Sequence, residues 1–459
     1  MSGRRRATRQ LGLSLVELMI AMAVGLLVSA SVIAVFMSSS NSRLAQAQLA
    51  RLQEEGRFAI TQIKSDLVMS GGQYCSNTGG NAHIGAAGTY RDGLLAPTVY
   101  ATDAGALMSA LSDVTTPWGG RYPAAPTEPY SLPSFLAMRG YDCTVKSCTP
   151  VDPSNKQGAN GFSIPAMGTA LGKRVVGASV ITVRHLNPSS GWRIAPDESA
   201  GGNKLISNVD GTLSIKLIPG PDEPKITDFG STDPLAMLAD CSGGQIFAVS
   251  GQESAELRST GNNFVQPVAS QNRVAPKLFD LSRDFQTVTY YLKVVDNGDG
   301  MGHTTGALIR RVNGSSGAAH GGSAEEIARG VERLDFKYGV QLVDGTLRYY
   351  TAEQVDNSTR ADCPSVPIPI QGSDDRGCLW RSVSLIEIDL LMDGQQPLYS
   401  LTPDELAYTY LSDSSSNEML EPQSPTAVNR KVTPIQQGFP LPMLRREFTA
   451  VVAVRNFNP

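Results

Sequence analysis

Between Leu13 and Ser42 the chain carries one ionisable side chain, Glu17, inside an otherwise uncharged and largely apolar run. The run is long enough for a helix that crosses a bilayer, which takes ~20 apolar residues. A carboxylate there costs roughly 3 kcal/mol on insertion scales. A chain that keeps it must give it a partner, and the nearest plausible one is a positive charge brought by a neighbouring subunit.

Arg4, Arg5, Arg6 and Arg9 precede the run, and a mixed flank of Arg43, Arg51, Glu54 and Glu55 follows it. The positive-inside rule then places the leader in the cytoplasm and everything after about residue 42 outside it. A secretory signal peptide or a plain signal anchor shares this basic flank and apolar core, and Val28-Ser29-Ala30 offers a weak small-residue cleavage site. An ordinary signal core has no use for Glu17, and Arg5-Arg6 lacks the residues a twin-arginine signal requires.

The helix is expected to continue past the membrane surface. Leu49, Leu52, Ala59, Ile63 and Leu67 recur at three- and four-residue intervals through a polar background, a stripe suited to packing on a globular head. Gly71-Gly72 supplies the stop. At ~1.5 Å per residue the segment 13–70 makes a rod of about 87 Å.

Gly12-Leu13-Ser14-Leu15-Val16-Glu17 resembles the type IV prepilin signal: a basic leader, Gly at the cut, an apolar residue, and Glu at the fifth mature position. The resemblance implies cleavage by prepilin peptidase between Gly12 and Leu13 and methylation of the new amino group on Leu13. It also implies that Glu17 pairs with the terminal amine of an adjacent subunit as helices pack into a fibre. The stretch from Leu52 to Ala59 is similar to the same helical segment of pilin-like proteins, although an ordinary amphipathic helix explains its spacing equally well.

At 459 residues, the chain leaves enough after the helix for one large or two ordinary domains. A net charge of −4 gives no electrostatic support for direct nucleic-acid binding. All six cysteines follow the apolar run, and an even number in an exported region reads as a disulfide set. Separation favours Cys143 with Cys148 and Cys363 with Cys378, leaving Cys75 for Cys241, while other pairings stay open. A zinc site is the rival reading. There is no Cys-x-x-Cys, and His83, His185, His303 and His320 are scattered, so no metal and no cofactor is expected.

The chain divides into a leader (1–12), the helix (13–72), a Gly/Ala/Pro-rich, loop-heavy insertion (73–170) and a β-rich head (171–459). Short alternating runs predict strands at Ala178–His185, Leu213–Ile218, Gln245–Ser250, Thr287–Val295, Gly330–Leu342, Thr346–Thr351, Arg381–Met392 and Glu447–Arg455. The expected fold class is α+β: a long N-terminal helix packed on a large, mainly antiparallel sheet head. Asp296-Asn-Gly-Asp-Gly-Met-Gly between two such runs is turn chemistry. A calcium loop is the alternative, but glycines stand where EF-hand ligands should sit.

Several head segments resemble PilW-type pilus-assembly proteins: Asp240-Cys241 leading to Ile246-Phe247, Tyr290-Tyr291-Leu292, Ile309-Arg310-Arg311, Gly330-Val331-Glu332 through Val340, Trp380-Arg381, and Arg445-Arg446 to Asn456. Read structurally, the same residues are strand core, with Phe247, Tyr290 and Phe336 packing against the helix. There is no Gly-x-Ser-x-Gly elbow, P-loop, zincin helix or complete dinucleotide-binding pattern. Glu325-Glu326 and Asp374-Asp375 read as solvated carboxylates, and no enzyme activity is expected.

The resemblance therefore implies a minor pilin that primes or joins a type IV pilus. Its expected partners are other minor pilins and the major pilin through the helix, prepilin peptidase, and the inner-membrane assembly platform. Its expected place is the inner membrane, single-pass with a periplasmic head, and then the extracellular fibre. A minor pseudopilin of a type II secretion system shares the signal and the helix. A membrane-anchored adhesin would account for the large head and the 76–170 stretch.

Overall fold

A computed structural model of the chain describes residues 14–74, 96–111, 127–154, 164–195, 201–229, 234–240, 243–250, 256–260, 263–264, 276–313, 323–342, 344–363, 377–414 and 421–454. One α-helix spans Leu15–Met69 and the rest of the described chain is mainly strand, giving an α+β fold. Ser14 caps the helix start: its hydroxyl accepts from the Glu17 backbone N–H at 3.2 Å, while the Glu17 carboxylate accepts from the Ser14 N–H at 2.9 Å. That reciprocal pair satisfies two of the amide groups that a helix start leaves without partners. At the other end Gly71, at φ 70°, turns the chain away, and Gly71 and Gly72 hydrogen-bond to the strand Val180–Leu186.

The described strands form three sheets. The largest follows the order Trp192–Arg193, Lys277–Asp280, Leu235–Asp240, Gly243–Ser250, Glu256–Ser259, Leu213–Lys216, Lys204–Ser207. Thr98–Val99 joins it parallel to Gly243–Ser250, and Tyr130–Ser131 pairs with Thr98–Val99. The second runs Ser323–Arg329, Thr304–Asn313, Phe285–Asp296, Val180–Leu186, Met138–Cys143, Cys148–Thr149, antiparallel throughout. The third is Leu347–Tyr350, Val331–Gln341, Val383–Asp393, Arg445–Ala453, also antiparallel. Segments between 96 and 154 thus contribute strands to two of the three sheets.

Phe285–Asp296 and Thr304–Asn313 are joined through the Asp296–Gly302 turn, where Gly298, Gly300 and Gly302 all take positive φ. Asp296, Asn297 and Asp299 side chains accept from backbone amides two residues on, the usual way such residues hold a turn. Gly330 links the second sheet to the third in a single residue. It sits at φ +82°, and a Cβ there would lie 2.8 Å from the Asp393 carbonyl oxygen, so only glycine makes this crossing without strain.

The main core joins Leu52, Ala59, Ile63 and Leu67 of the helix to inward residues of the second and third sheets, including Val288, Leu308, Phe336, Ile388 and Val452. A second core lies in the large sheet, around Trp192, Phe229, Phe247 and Leu278. Phe247 therefore packs in this second core, away from the helix. Strand alternation turns Ile246 and Phe247 to opposite faces, and Ile246 is the one that joins the main core.

Candidate functional site

The helix divides by its surroundings. Its first half is long and apolar enough to cross a membrane, and that window packs against nothing among the described residues of the head. Leu15, Leu26, Val35 and Phe36 are each more than two-thirds exposed. A free apolar face of this size on a monomer marks an interaction surface or a membrane segment. Glu17 is exposed at its tip, where its carboxylate faces the Ser14 N–H. Gly12 and Leu13 lie outside the described residues.

From Gln48 onward the helix is seated on the head. The buried positions Gln48, Leu52, Gly56, Ala59, Ile63, Asp66 and Leu67 trace a helical stripe, against strands Val180–Leu186, Ser323–Arg329, Val383–Asp393 and Arg445–Ala453. Of the expected stripe only Leu49 is half-exposed, its place taken by Gln48. At Gly56 the helix comes so close to the last strand that a Cβ would stand 2.5 Å from the Phe448 ring.

Three polar contacts lock this seat. Arg310 donates to Asp66 through Nε at 2.6 Å and Nη2 at 3.0 Å, a bidentate pair that is mostly buried. The Tyr290 hydroxyl donates to the same carboxylate at 2.5 Å and lies 3.1 Å from the Gln62 carbonyl oxygen. Hydrogen bonding to Asp66 holds the Arg310 guanidinium above its ordinary pKa, while burial followed by the Asp66 charge pushes the Tyr290 phenol up. Further along, Gln395 donates to Glu55 at 2.6 Å and to the Arg329 carbonyl oxygen at 2.9 Å, from a left-handed backbone at φ 62°. Arg51 pairs with Glu55 one turn away, at the exposed edge.

Among the described residues, two disulfides brace the head. Cys143 pairs with Cys148 across the hairpin Met138–Thr149, and Cys363 pairs with Cys378 beside the short helix Ala352–Asp356. Cys75 and Cys241 lie outside the described residues. Around the second bridge, Arg139 grips Asp356 with two bonds of 3.0 Å and the Trp380 indole donates to it at 3.2 Å. Below the third sheet, Glu332 and Arg445 form a fully buried bidentate pair at 2.7 and 2.8 Å.

No group of three His, Cys, Asp or Glu residues could hold a metal ion among the described residues. Asp299 meets His303 at 2.5 Å, but its remaining contacts are Asn297 and the Met301 amide, which hold the turn. Glu325 and Glu326 lie on an exposed edge strand, where Glu326 pairs with Arg329. Asp374 and Asp375 lie outside the described residues. An open groove of about 460 Å³ is lined by Arg193, Asn203 and Glu223, but the Glu223 carboxylate already accepts from the Arg193 amide, the Gly220 amide and Asn203. The Asp66, Arg310, Tyr290 constellation escapes sequence reading, because nothing local pairs an acid on a helix with a base far along the chain.

Residues 7–33 match the family model described as the prokaryotic N-terminal methylation motif, and residues 289–456 match the model described as type IV pilus-assembly protein W. No curated protein and no solved structure matches the chain. The first matched region takes in much of the apolar half of the helix and a few residues before it, and the second supplies Tyr290, Arg310 and three of the four strands beneath the helix seat.

Proposed function

We propose that this chain, a type IV pilus-related protein by its methylation motif and its W-family region, acts as a minor pilin in pilus assembly. In this reading prepilin peptidase removes residues 1–12. The helix anchors the head on the outer side of the inner membrane, and the apolar half then leaves lipid for a bundle of like helices in the fibre. The observation that carries it is the division of one helix into a half bound to its own head and a half whose apolar surface has no partner among the described residues. A helix locked at one end transmits position to the head as a rigid body, which an assembling subunit requires.

In this mechanism Glu17 has two roles in sequence. Before assembly its carboxylate caps its own helix start through Ser14. During assembly the methylated amine of Leu13 on a neighbouring subunit offers it a full positive charge in a low-dielectric bundle, where a charge pair is far stronger than in water. Packing of apolar helices supplies the rest, and no catalytic step is assigned to the chain itself.

Glu17→Gln and Glu17→Ala together test this. Gln at the third helical position keeps the reciprocal cap but lacks the charge, whereas Ala lacks both. Both variants are expected to be processed yet lost from sheared fibres on immunoblots. Incorporation of Glu17→Gln at the wild-type level would show that charge pairing is not what drives assembly. N-terminal sequencing of the mature protein should begin at methylated Leu13; a start near Ser31 or an intact Met1 would remove the pilin reading altogether.

A further inference from the structure

Arg174 is fully buried, and its guanidinium is aimed at a disulfide. Nη1 lies 3.1 Å from Cys143 Sγ and 3.4 Å from Cys148 Sγ, Nη2 pairs with Asp152 at 3.0 Å, and Nε donates to the Pro165 carbonyl oxygen at 3.3 Å. Among the described residues, the two sulfurs are the acceptors within reach of Nη1. A disulfide sulfur is a weak acceptor, so this arm of a buried cation is poorly satisfied while the bridge is closed. Burial correspondingly lowers the Arg174 pKa, with Asp152 opposing the shift. Reduction would replace the weak acceptors with a thiolate, an anion that a guanidinium at this distance stabilises.

The other bridge meets the opposite surroundings. Cys378 Sγ lies 3.1 Å from the Thr359 carbonyl oxygen, the negative end of a peptide dipole, which disfavours a thiolate at that sulfur. Both bridges sit in one chain, so the second is an internal reference for the first.

We propose that Cys143–Cys148 is a reversible, redox-responsive bridge, reduced in preference to Cys363–Cys378 because Arg174 is positioned to receive the thiolate. The reductant is a dithiol. One of its thiolates attacks a sulfur of the bridge, the S–S bond breaks, and the other cysteine leaves as a thiolate beside Arg174. The second reductant thiol, giving its proton to solvent, then attacks the mixed disulfide, closes the reductant's own disulfide and releases the remaining cysteine. Two electrons pass from the dithiol to the pair. Access is through the loop Thr144–Ser147, most of it exposed, which the bridge closes. A lower thiol pKa makes each cysteine the better leaving group and the disulfide the more oxidising one.

The test uses full-length protein in detergent micelles, equilibrated with mixtures of reduced and oxidised dithiothreitol, quenched in acid, alkylated and mapped by peptide mass spectrometry. At about pH 9.5, above the ordinary thiol pKa of about 8.5, Cys143–Cys148 is expected to reach half-reduction at a ratio of reduced to oxidised dithiothreitol about tenfold below that for Cys363–Cys378, the effect of about one unit of thiol pKa. Arg174→Gln should close most of that gap, and Arg174→Lys, which keeps a cation, should restore part of it. Equal reduction of the two bridges, or a Cys143–Cys148 equilibrium unchanged in Arg174→Gln, would overturn the proposal. Should Arg174→Gln not fold, the wild-type protein still decides the matter. In the reduced folded chain, iodoacetamide should trap Cys143 or Cys148 at pH values well below the ordinary thiol pKa of about 8.5, and trapping only near or above that value refutes the assignment.

Discussion

Asp66 on the last turn of the long helix and Arg310 on a central strand of the second sheet meet in a bidentate ion pair at 2.6 and 3.0 Å, with the Tyr290 hydroxyl closing on the same carboxylate. The pair ties the end of the helix to the head at a point where the apolar stripe alone would allow the helix to slide or rotate. Packing supplies the adhesion, and this contact sets the register.

Removing one partner should expose that role. Arg310→Met leaves the Asp66 carboxylate mostly buried without its cation, a change that costs about 3 kcal/mol for pairs of this kind. Urea denaturation of the full chain in micelles should show that loss, and the double variant Asp66→Asn with Arg310→Met should recover part of it, as coupled partners do. Strict additivity of the two changes would mean the pair is not coupled.

A second prediction concerns the closest approach of helix and sheet. Gly56→Ala places a methyl against the Phe448 ring, which is half-buried and packed on the main core. Overpacking of this kind typically costs about 1–3 kcal/mol, although alanine favours the helix itself by up to about 1 kcal/mol over glycine. The net change should be a lower denaturation midpoint, reversed when Phe448 is trimmed to Leu in the same chain. A gain in stability from Gly56→Ala alone would show that the ring gives way freely.

The head should respond to pH through Asp389. Its carboxyl is fully buried, neither oxygen has a hydrogen-bond partner among the described residues, and its cross-strand neighbour on Val331–Gln341 is Asp335. Burial first, then the charges of Glu387, Asp335 and Glu447 against the single opposing Lys337, raise its pKa to about 7. Arg333, Asp413 and Arg430 surround the neighbouring Asp335 and Tyr410, whose hydroxyl donates to Asp335. A carboxyl with a raised folded-state pKa holds its proton in the folded chain after the unfolded chain has lost it. Its contribution to stability is therefore full below about pH 4 and declines as pH rises through about 7. Asp389→Asn should be more stable than wild type at about pH 8, with the advantage shrinking toward about pH 5. Parallel pH profiles for the two proteins would contradict this.

Cys363–Cys378 spans 15 residues, and closing a loop of that length removes about 3 kcal/mol of unfolded-state entropy. Replacing both cysteines by serine should lower stability by about that amount. The helix seat, built from residues elsewhere in the chain, should keep its protection against hydrogen exchange. Loss of protection at Ala59 and Ile63 in that variant would show that the bridge supports the helix as well as its own loop.

The elements written in local patterns are the ones that could be read without the fold. The apolar run, the Gly71-Gly72 stop and the three- and four-residue stripe define the helix, observed over Leu15–Met69. Alternation placed eight strands to within a few residues, as with Thr287–Val295 against the observed Phe285–Asp296, but left Met138–Cys143, Leu235–Asp240 and Lys277–Asp280 unread, while the Gly-rich turn after Asp296 does join two antiparallel strands. Most of what escaped has no local signature, the Ser14-x-x-Glu17 capping box being the exception. Phe247 looked like a residue for the helix because it is large and apolar, but the face it occupies depends on which sheet its strand joins. Glu17 looked like a lone charge awaiting a neighbour, whereas Ser14 three residues earlier already gives it a role in capping.

By itself the amino-acid order determined the periodic features: a helix half apolar all round and half striped, a β-rich head, and turns where glycine relieves the backbone. These follow from short-range sterics and from which faces water rejects, so a few consecutive residues contain them. The tertiary structure alone decided which distant charges meet, Asp66 with Arg310, Glu332 with Arg445, and Arg174 with the Cys143–Cys148 sulfurs. Such pairings depend on desolvation and on geometry across the assembled sheets, and a charge seen in one dimension carries no mark of the partner that burial will bring to it.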